Sequence, residues 1–348
     1  MRVSERPYIG GQAVLEGVMM RSPRSLVVAV RRPDGRIAVR EEAWETLWPR
    51  VGFLRKPFLR GAVVLVESVW NGFTALAFSA EQAESAEGTG PEEPPTPPAA
   101  SSEGAVPEGA RQGQLARGLL LGISFLFMVA LFIAAPHLLT LGLFELLGRD
   151  PSLRGVAFHL VDGVFRIGIL VGWLALVART KDAQRLFQYH GAEHKAIWTY
   201  ESMLPLTVEN ARRFTTQHPR CGTSFLFVVV GVAVLLHILV LPFVPTVSSV
   251  GAVQTVVVLV LKIALAFPVA GIAYELQKRS ARADCPPVLK ALVSPGLWLQ
   301  RITTVEPTDD QLEIALLALD RALAREDGRP RAGDGVQVYP DFSGALAA

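Results

Sequence analysis

Long runs of apolar residues dominate the chain and predict helices that can cross a lipid bilayer. Between Arg117 and Glu145 lie 27 consecutive uncharged residues, and one spanning helix needs roughly 20. A second apolar run covers residues 155–178 and is interrupted by two charged residues, Asp162 and Arg166. Both runs are long enough for one spanning helix each.

The longest uncharged run extends from Cys221 to Leu261 and exceeds the length of one spanning helix. Pro242 and Pro245 interrupt it and favour a short turn between two helices. We therefore predict four transmembrane helices. Their predicted bounds are residues 115–147, 154–179, 221–243 and 250–276.

The distribution of positive charge decides whether a further apolar run, at residues 61–83, also spans the membrane. Twelve Lys and Arg residues occur in residues 1–60, and seven occur in residues 179–220. Cytosolic segments of membrane proteins are enriched in these residues. Four spans place both basic segments in the cytosol, whereas a fifth span would separate them. We therefore predict that residues 61–83 form an interfacial or re-entrant helix. The same argument predicts an inner-membrane protein with both termini in the cytosol.

The polar segments complete a mainly α fold. Two alternating runs flank Pro33, Asp34 and Gly35 and predict a β-hairpin within a small β-rich cytosolic domain, residues 1–60. Residues 84–114 are rich in Pro and Glu and predict a disordered acidic linker. Residues 180–220 predict a cytosolic helical loop, and residues 277–326 a cytosolic segment that ends in an amphipathic helix. We expect the tail at residues 327–348 to be disordered.

Composition agrees with a membrane protein. Half of the 348 residues are hydrophobic, only 19% are charged, and the mean hydropathy is positive. The formal net charge is +2, and no array of basic and aromatic residues indicates nucleic-acid binding. Two cysteines exclude a disulfide framework. The expected partners are the lipid bilayer and a protein that binds the cytosolic domains.

The stretch "QYHGAEHKAIWTYE" carries the strongest chemical signal in the chain. In a helix, His190 and His194 lie one turn apart on the same face, with Glu193 beside them. Two imidazoles at this spacing can bind one divalent metal ion. Zinc needs one or two more N, S or O ligands at about 2.0–2.3 Å. The alternative is a hydrogen-bonded cluster of His and Glu without a metal.

Further metal ligands are expected at the same membrane face. Under the four-span topology, His218 and Cys221 lie where the third span begins, and Glu275 lies at the cytosolic end of the fourth. Cys221 would lie near a helix N-terminus, which stabilises negative charge. The predicted metal ligands are His190, His194, His218, Cys221 and Glu275, with zinc as the expected ion.

Two functions fit this pattern. The order His-x-x-Glu-His is shared with a class of zinc metallopeptidases, in which the Glu acts as the base. It predicts a metal-dependent hydrolase that uses Glu193 on a peptide or a lipid-linked substrate. The second hypothesis is a non-catalytic scaffold or assembly factor with a structural metal site or a His/Glu cluster.

Charged residues inside the second predicted span have two interpretations. Asp162 and Arg166 are four residues apart, His159 lies one turn earlier, and Lys262 lies in the fourth span. Ionisable groups inside a membrane indicate function by default. However, an i,i+4 ion pair that fixes one helix against its neighbours is the favoured interpretation, and transport is the weaker one.

Several longer motifs resemble those of the YqhQ-like family of bacterial membrane proteins, whose domain of unknown function is described as a metal-dependent enzyme. The resemblance covers nearly the whole chain except the acidic linker and the extreme C-terminus. It implies a multi-pass membrane protein whose HGAEH motif binds metal, and it draws attention to Glu16. Glu16 either faces the metal site or is a solvent-facing strand residue. The motifs are GGQAVLEGVMMRSP, YHGAEHKAIWTYE, HPRCGTSFL, GIAYE and PGLWLQRITTVEPTDDQLEIAL.

Overall fold

The computed structural model divides the chain into two compact units. The first combines residues 1–87, 171–232 and 266–348, and the second combines residues 88–170 and 233–265. The predicted linker at 84–114 lies outside the described residues, apart from its first residue. The structure describes residues 7–44, 59–84, 119, 122–149, 155–247, 251–280, 284–329 and 335–347.

A five-stranded antiparallel sheet forms the centre of the first unit, with the strands in chain order. The predicted hairpin is confirmed: β3 and β4 pair on either side of a turn in which Gly35 has a φ of 85°. Glycine adopts this left-handed conformation without steric cost. Asp34 stabilises the same turn by accepting a hydrogen bond from the Arg36 backbone N–H. The strands are β1 Gly10–Val14, β2 Gly17–Arg21, β3 Ser25–Arg31, β4 Ile37–Ala43 and β5 Gly335–Tyr339.

Most of the described chain is helical. A capping box of Thr308 and Gln311 is present at the start of the helix Asp309–Glu326. A π-helical segment, Ala130–Ala134, interrupts α2 just before Pro136, whose ring nitrogen carries no N–H for an α-helical hydrogen bond. The helices are α1 Leu59–Glu84, α2 Gly122–Leu146, α3 Val156–Val177, α4 Lys181–Glu201, α5 Val208–Arg212, α6 Gly222–Val240, α7 Gly251–Ser280, α8 Pro287–Thr303, α9 Asp309–Glu326 and α10 Phe342–Ala347.

Both faces of the sheet are covered by helices. Helices α4 and α9 pack together on one face and form the larger apolar core of the unit. Helix α1 covers the other face, where Ala75 and Phe78 join the inward-facing residues of the strands. Nearly every side of α9 is buried, so it is a central core helix and not a surface helix docked by one stripe. Helix α4 therefore packs against both the sheet and this central helix.

Among the described residues, five helices are long and apolar enough to cross a membrane, one more than the four predicted spans. The additional helix is α1, whose apolar segment Val63–Glu84 overlaps the run at residues 61–83 that we expected at the interface. The other four agree closely with the predicted spans. They are Gly122–Leu146, Val156–Val177, Gly222–Phe243 and Gly251–Ser280.

The prediction of a disordered tail at residues 327–348 is wrong for residues 335–347. Strand β5 pairs with β4, and α10 follows it. Arg321 of α9 is fully buried, forms an ion pair with Glu41, and donates hydrogen bonds to the Tyr339 hydroxyl and the Ala345 carbonyl. A buried guanidinium requires such partners, and the tail supplies two of them. No local pattern in the sequence reveals this pairing.

Candidate metal centre

Helix α4 brings the two histidines of the HGAEH motif to one face. Its N-terminus is capped by the Thr180 side chain, which accepts a hydrogen bond from the Ala183 backbone N–H. His190 and His194 lie one turn apart, and their ring centroids are 4.5 Å from each other. Gly191 allows the extended segment after α8 to lie directly against α4, since a Cβ there would be 2.2 Å from the Val305 carbonyl oxygen.

Backbone carbonyl groups fix the orientation of both imidazole rings. The Nδ1 atom of His190 lies 2.8 Å from the Thr303 carbonyl oxygen, and the Nδ1 atom of His194 contacts the Thr216 carbonyl oxygen. A carbonyl oxygen can only accept, so each Nδ1 carries the ring proton in the neutral form. Each Nε2 atom therefore has a free lone pair. A hydrogen bond from the other ring nitrogen to a carbonyl group is typical of histidines that bind metals.

The thiol of Cys221 completes a group of three donors. Its Sγ atom lies 3.1 Å from His190 Nε2, and the three donor atoms all lie within 4.8 Å of one another. Ligand atoms of one tetrahedral zinc ion are separated by about 3.3–3.8 Å. Small side-chain adjustments would therefore bring all three to one ion. Cys221 immediately precedes α6, and the Thr223 backbone N–H points at its Sγ atom.

The chemistry of this group fits a metal ion. His194 is 1% exposed, and its Nε2 atom makes no hydrogen bond of acceptable geometry to any described residue. A buried polar atom without a partner costs about 1–3 kcal/mol, and a coordinated ion would remove that cost. Burial also lowers the pKa of His194, although the neighbouring Cys221 opposes this shift. The neutral ring that a metal requires is therefore favoured.

Glu193 lies beside the three donors without joining them. Its Oε2 atom is 4.0 Å from His190 Nε2, and its side chain is only 6% exposed. Burial raises the pKa of the carboxyl group, opposed by His190, His218 and a hydrogen bond from the Gly11 backbone N–H. The β1 strand permits this approach because Gly11 has no side chain. A Cβ at Gly11 would lie 2.6 Å from Glu193 Cγ.

Replacing Gly11 with Ala should therefore displace Glu193 and destabilise the fold. Overpacking of this kind costs about 1–3 kcal/mol. Gly10→Ala is the matched control, because a Cβ there meets only Tyr8, at 3.9 Å. Thermal unfolding of detergent-purified protein measures the difference. Equal unfolding midpoints for the two variants would contradict the close packing of Glu193 on β1.

Two of the five predicted ligands lie outside this group. His218 uses both ring nitrogens elsewhere: Nε2 lies 3.4 Å from a Glu201 carboxylate oxygen, and Nδ1 accepts from the Arg220 backbone N–H. Burial lowers the pKa of His218 to about 4, so the ring is neutral at pH 7. Glu275 forms a two-point ion pair with Arg60, with N–O distances of 2.6 and 2.5 Å. The Arg60 guanidinium therefore binds the carboxylate that we expected to bind the metal.

Glu16 fits neither of its expected roles. It lies in the turn between β1 and β2 with a φ of 52°. Its carboxylate forms an ion pair with Arg185 and accepts a hydrogen bond from the Tyr189 hydroxyl. Glu16 therefore fastens the first hairpin to α4, one turn before His190.

Three charged residues of the second unit, Asp162, Arg166 and Lys262, form one buried network. Asp162 accepts hydrogen bonds from Arg166 at 3.2 Å, which is the expected i,i+4 pair, and from Lys262 at 2.6 Å. The Lys262 ammonium also contacts His137 Nδ1 at 3.2 Å. Asp162 and Lys262 side chains are both fully buried. The network thus joins α2, α3 and α7 within the second unit.

The groups that orient the metal donors were not found by sequence reasoning. Thr303 and Thr216 act through backbone carbonyls, which every residue possesses, so no residue type indicates them. Lys195 is buried and forms an ion pair with Glu306, which holds the segment after α8 against α4. The glycine within HGAEH was the available signal, because a glycine inside a helix often marks a close approach.

These features define a mainly helical protein with five apolar helices, an antiparallel sheet and a candidate metal centre of two histidines and a cysteine. The chain belongs to the DUF1385 family, described as a protein of unknown function, whose family model matches residues 56–325. It is 34% identical over 325 residues to the uncharacterized protein YqhQ of Bacillus subtilis (strain 168), covering 92% of this chain and 93% of that protein. No solved structure matches the chain.

Proposed function

We propose that the chain is an inner-membrane protein that holds a divalent metal ion, zinc, and catalyses hydrolysis of a peptide or lipid-linked substrate at the cytosolic face. The observation that carries this proposal is the convergence of His190 Nε2, His194 Nε2 and Cys221 Sγ, with both Nδ1 atoms held by carbonyl groups. Three protein ligands leave one of the four positions of zinc open, as in catalytic sites.

His190, His194 and Cys221 would hold the zinc ion, which would supply a Lewis acid and would lower the pKa of a bound water to about 7. Glu193 supplies the general base, because its carboxylate lies beside the donors and its close packing against Gly11 holds it in place. The partly exposed side chain of His190 marks the side from which a substrate reaches the site. The packed sheet closes the opposite side and restricts water there.

The second candidate function is a scaffold in which the same residues form a closed structural cluster. The 3.1 Å contact between Cys221 Sγ and His190 Nε2 favours it, since a thiol can donate to that nitrogen without a metal. The Thr223 hydroxyl, 3.1 Å from the same sulfur, adds a further polar contact. The cluster would then join α4 to the start of α6.

Substitution with cobalt(II) separates the two functions. We expect the wild-type protein to bind one cobalt ion with a thiolate charge-transfer band, and acetohydroxamate to alter the visible spectrum by entering an open coordination position. Glu193→Gln should keep the band, because Glu193 is not a ligand. Cys221→Ser should lose it.

An unchanged spectrum on adding acetohydroxamate would support a closed structural site and contradict catalysis. Failure of the wild-type protein to bind cobalt or zinc would contradict both metal hypotheses. These residues would then form a hydrogen-bonded cluster without a metal.

The membrane arrangement in this proposal has four spans, α2, α3, α6 and α7, with α1 at the interface. The packing of α1 supports it. Gly72 contacts the Gln12 side chain, and Glu67 forms an ion pair with Arg21 of β2. A helix that packs along one side against a β-sheet cannot be surrounded by lipid. Its exposed apolar residues Val66 and Trp70 suit the interface instead.

A further inference from the structure

Helix α8 carries a group of exposed apolar residues along one side. At 3.6 residues per turn, the exposed apolar residues occupy about one third of the circumference. Val288 is 81% exposed, Leu292 is 59% exposed and Trp298 is 52% exposed. Pro287 is exposed at the start of the helix, and the exposed apolar residues after it are Val288, Ala291, Leu292, Pro295 and Trp298. The exposed polar residues are Lys290, Ser294 and Arg301. The buried residues are Gly296, Leu299, Gln300 and Thr303.

The buried face of α8 fixes its position at the start of α6. Gly296 lies against the Ser224 backbone, since a Cβ there would be 2.7 Å from Ser224 Cα. Gln300 donates hydrogen bonds to the His218 carbonyl oxygen and the Ser224 hydroxyl, and it accepts one from the His218 N–H. The long uncharged run of the sequence begins at Cys221. Helix α8 is therefore attached at the depth where the apolar span starts.

We propose that α8 lies in the headgroup layer of the bilayer, with its exposed apolar face turned toward the lipid chains. Interfacial helices of this kind bury an apolar face about 5–10 Å into the boundary between headgroups and acyl chains. Trp298 suits this depth because its ring has both an apolar surface and an N–H donor. Lys290 and Arg301 border the apolar face, where they attract anionic headgroups.

The position of α8 also sets the depth of the candidate metal centre. Thr303, in the last turn of α8, provides the carbonyl group that orients His190. The donors therefore lie at the level of the headgroups, within reach of a substrate that stays in the bilayer. This consequence rests on the proposed hydrolase function, whereas the lipid contact of α8 rests only on membrane insertion.

Site-specific photo-crosslinking tests the lipid contact. Benzoylphenylalanine is placed at one position at a time in the full chain, which is reconstituted in nanodiscs of phosphatidylethanolamine and phosphatidylglycerol. After illumination, mass spectrometry should show the added mass of one phospholipid with the probe at Leu292 or Val288. No added mass is expected at Ser294, the matched control on the polar face of the same helix.

Leu235, an exposed residue of α6, reports on membrane insertion independently. Lipid crosslinks at Leu235 but not at Leu292 would overturn the proposal for α8 and leave the four-span arrangement intact. Absence of lipid crosslinks at both would overturn the membrane assignment as well. Crosslinking of Leu292 to a second protein chain would assign the apolar face to a copy of this chain and also overturn the proposal. The cobalt experiment tests metal binding at the candidate centre independently of the position of α8.

Discussion

His194→Ala should remove the bound metal, whereas Glu275→Gln should retain it. His194 contributes one of three convergent donors, and its Nε2 atom is buried without a hydrogen bond in the described chain. Removing a direct ligand should lower the metal affinity by more than the roughly 10- to 100-fold that follows from changing a residue hydrogen-bonded to a ligand. Glu275 was an expected ligand, but its carboxylate is bound by Arg60.

The purified variants are dialysed against chelators of graded strength. Inductively coupled plasma mass spectrometry then measures their metal content. His194 is buried, so its loss also risks misfolding. Cys221→Ala is therefore measured in parallel, since it removes a single atom and should lose metal in the same way. Metal loss in Glu275→Gln together with retention in Cys221→Ala would show that the converging donors have been wrongly identified.

Asp162→Ala should be the most destabilising substitution in the second unit. It removes the carboxylate that binds both Arg166 and Lys262 and leaves two buried cations without their anion. Removing one partner of a buried ion pair typically costs about 3–5 kcal/mol. Lys262→Met should cost less, because Asp162 keeps its pair with Arg166. The free energy of unfolding of the protein in nanodiscs measures both effects.

A triple variant with Asp162→Leu, Arg166→Leu and Lys262→Met provides the control for this prediction. Buried ion pairs can be replaced by apolar residues of similar volume with little loss of stability. The triple variant should therefore recover most of the stability that Asp162→Ala loses. If Asp162→Ala unfolds like the wild type, this carboxylate is not the counter-charge of the two cations.

Local patterns in the sequence predicted most of the helices and the β3–β4 hairpin. Helix and strand formation depend on neighbouring residues, so the periodicity of apolar positions and signals such as Gly35 were sufficient. The spacing of His190 and His194 also placed both rings on one helix face before any tertiary contact was known. The position of Glu193 between the two histidines indicated a general base beside a metal-binding pair. That role stays a prediction.

Only the tertiary structure decided which distant groups meet. Cys221 reaches the histidines, whereas Glu275 pairs with Arg60, and the sequence offered no means to distinguish the two. The ring orientations depend on the backbone carbonyls of Thr303 and Thr216, and a backbone carbonyl is the same in every residue. Strand β5 likewise joins the sheet through backbone pairing and the buried Arg321. The local sequence thus determined the helices and strands and supplied a set of candidate metal donors, while long-range packing selected which of these donors share one site.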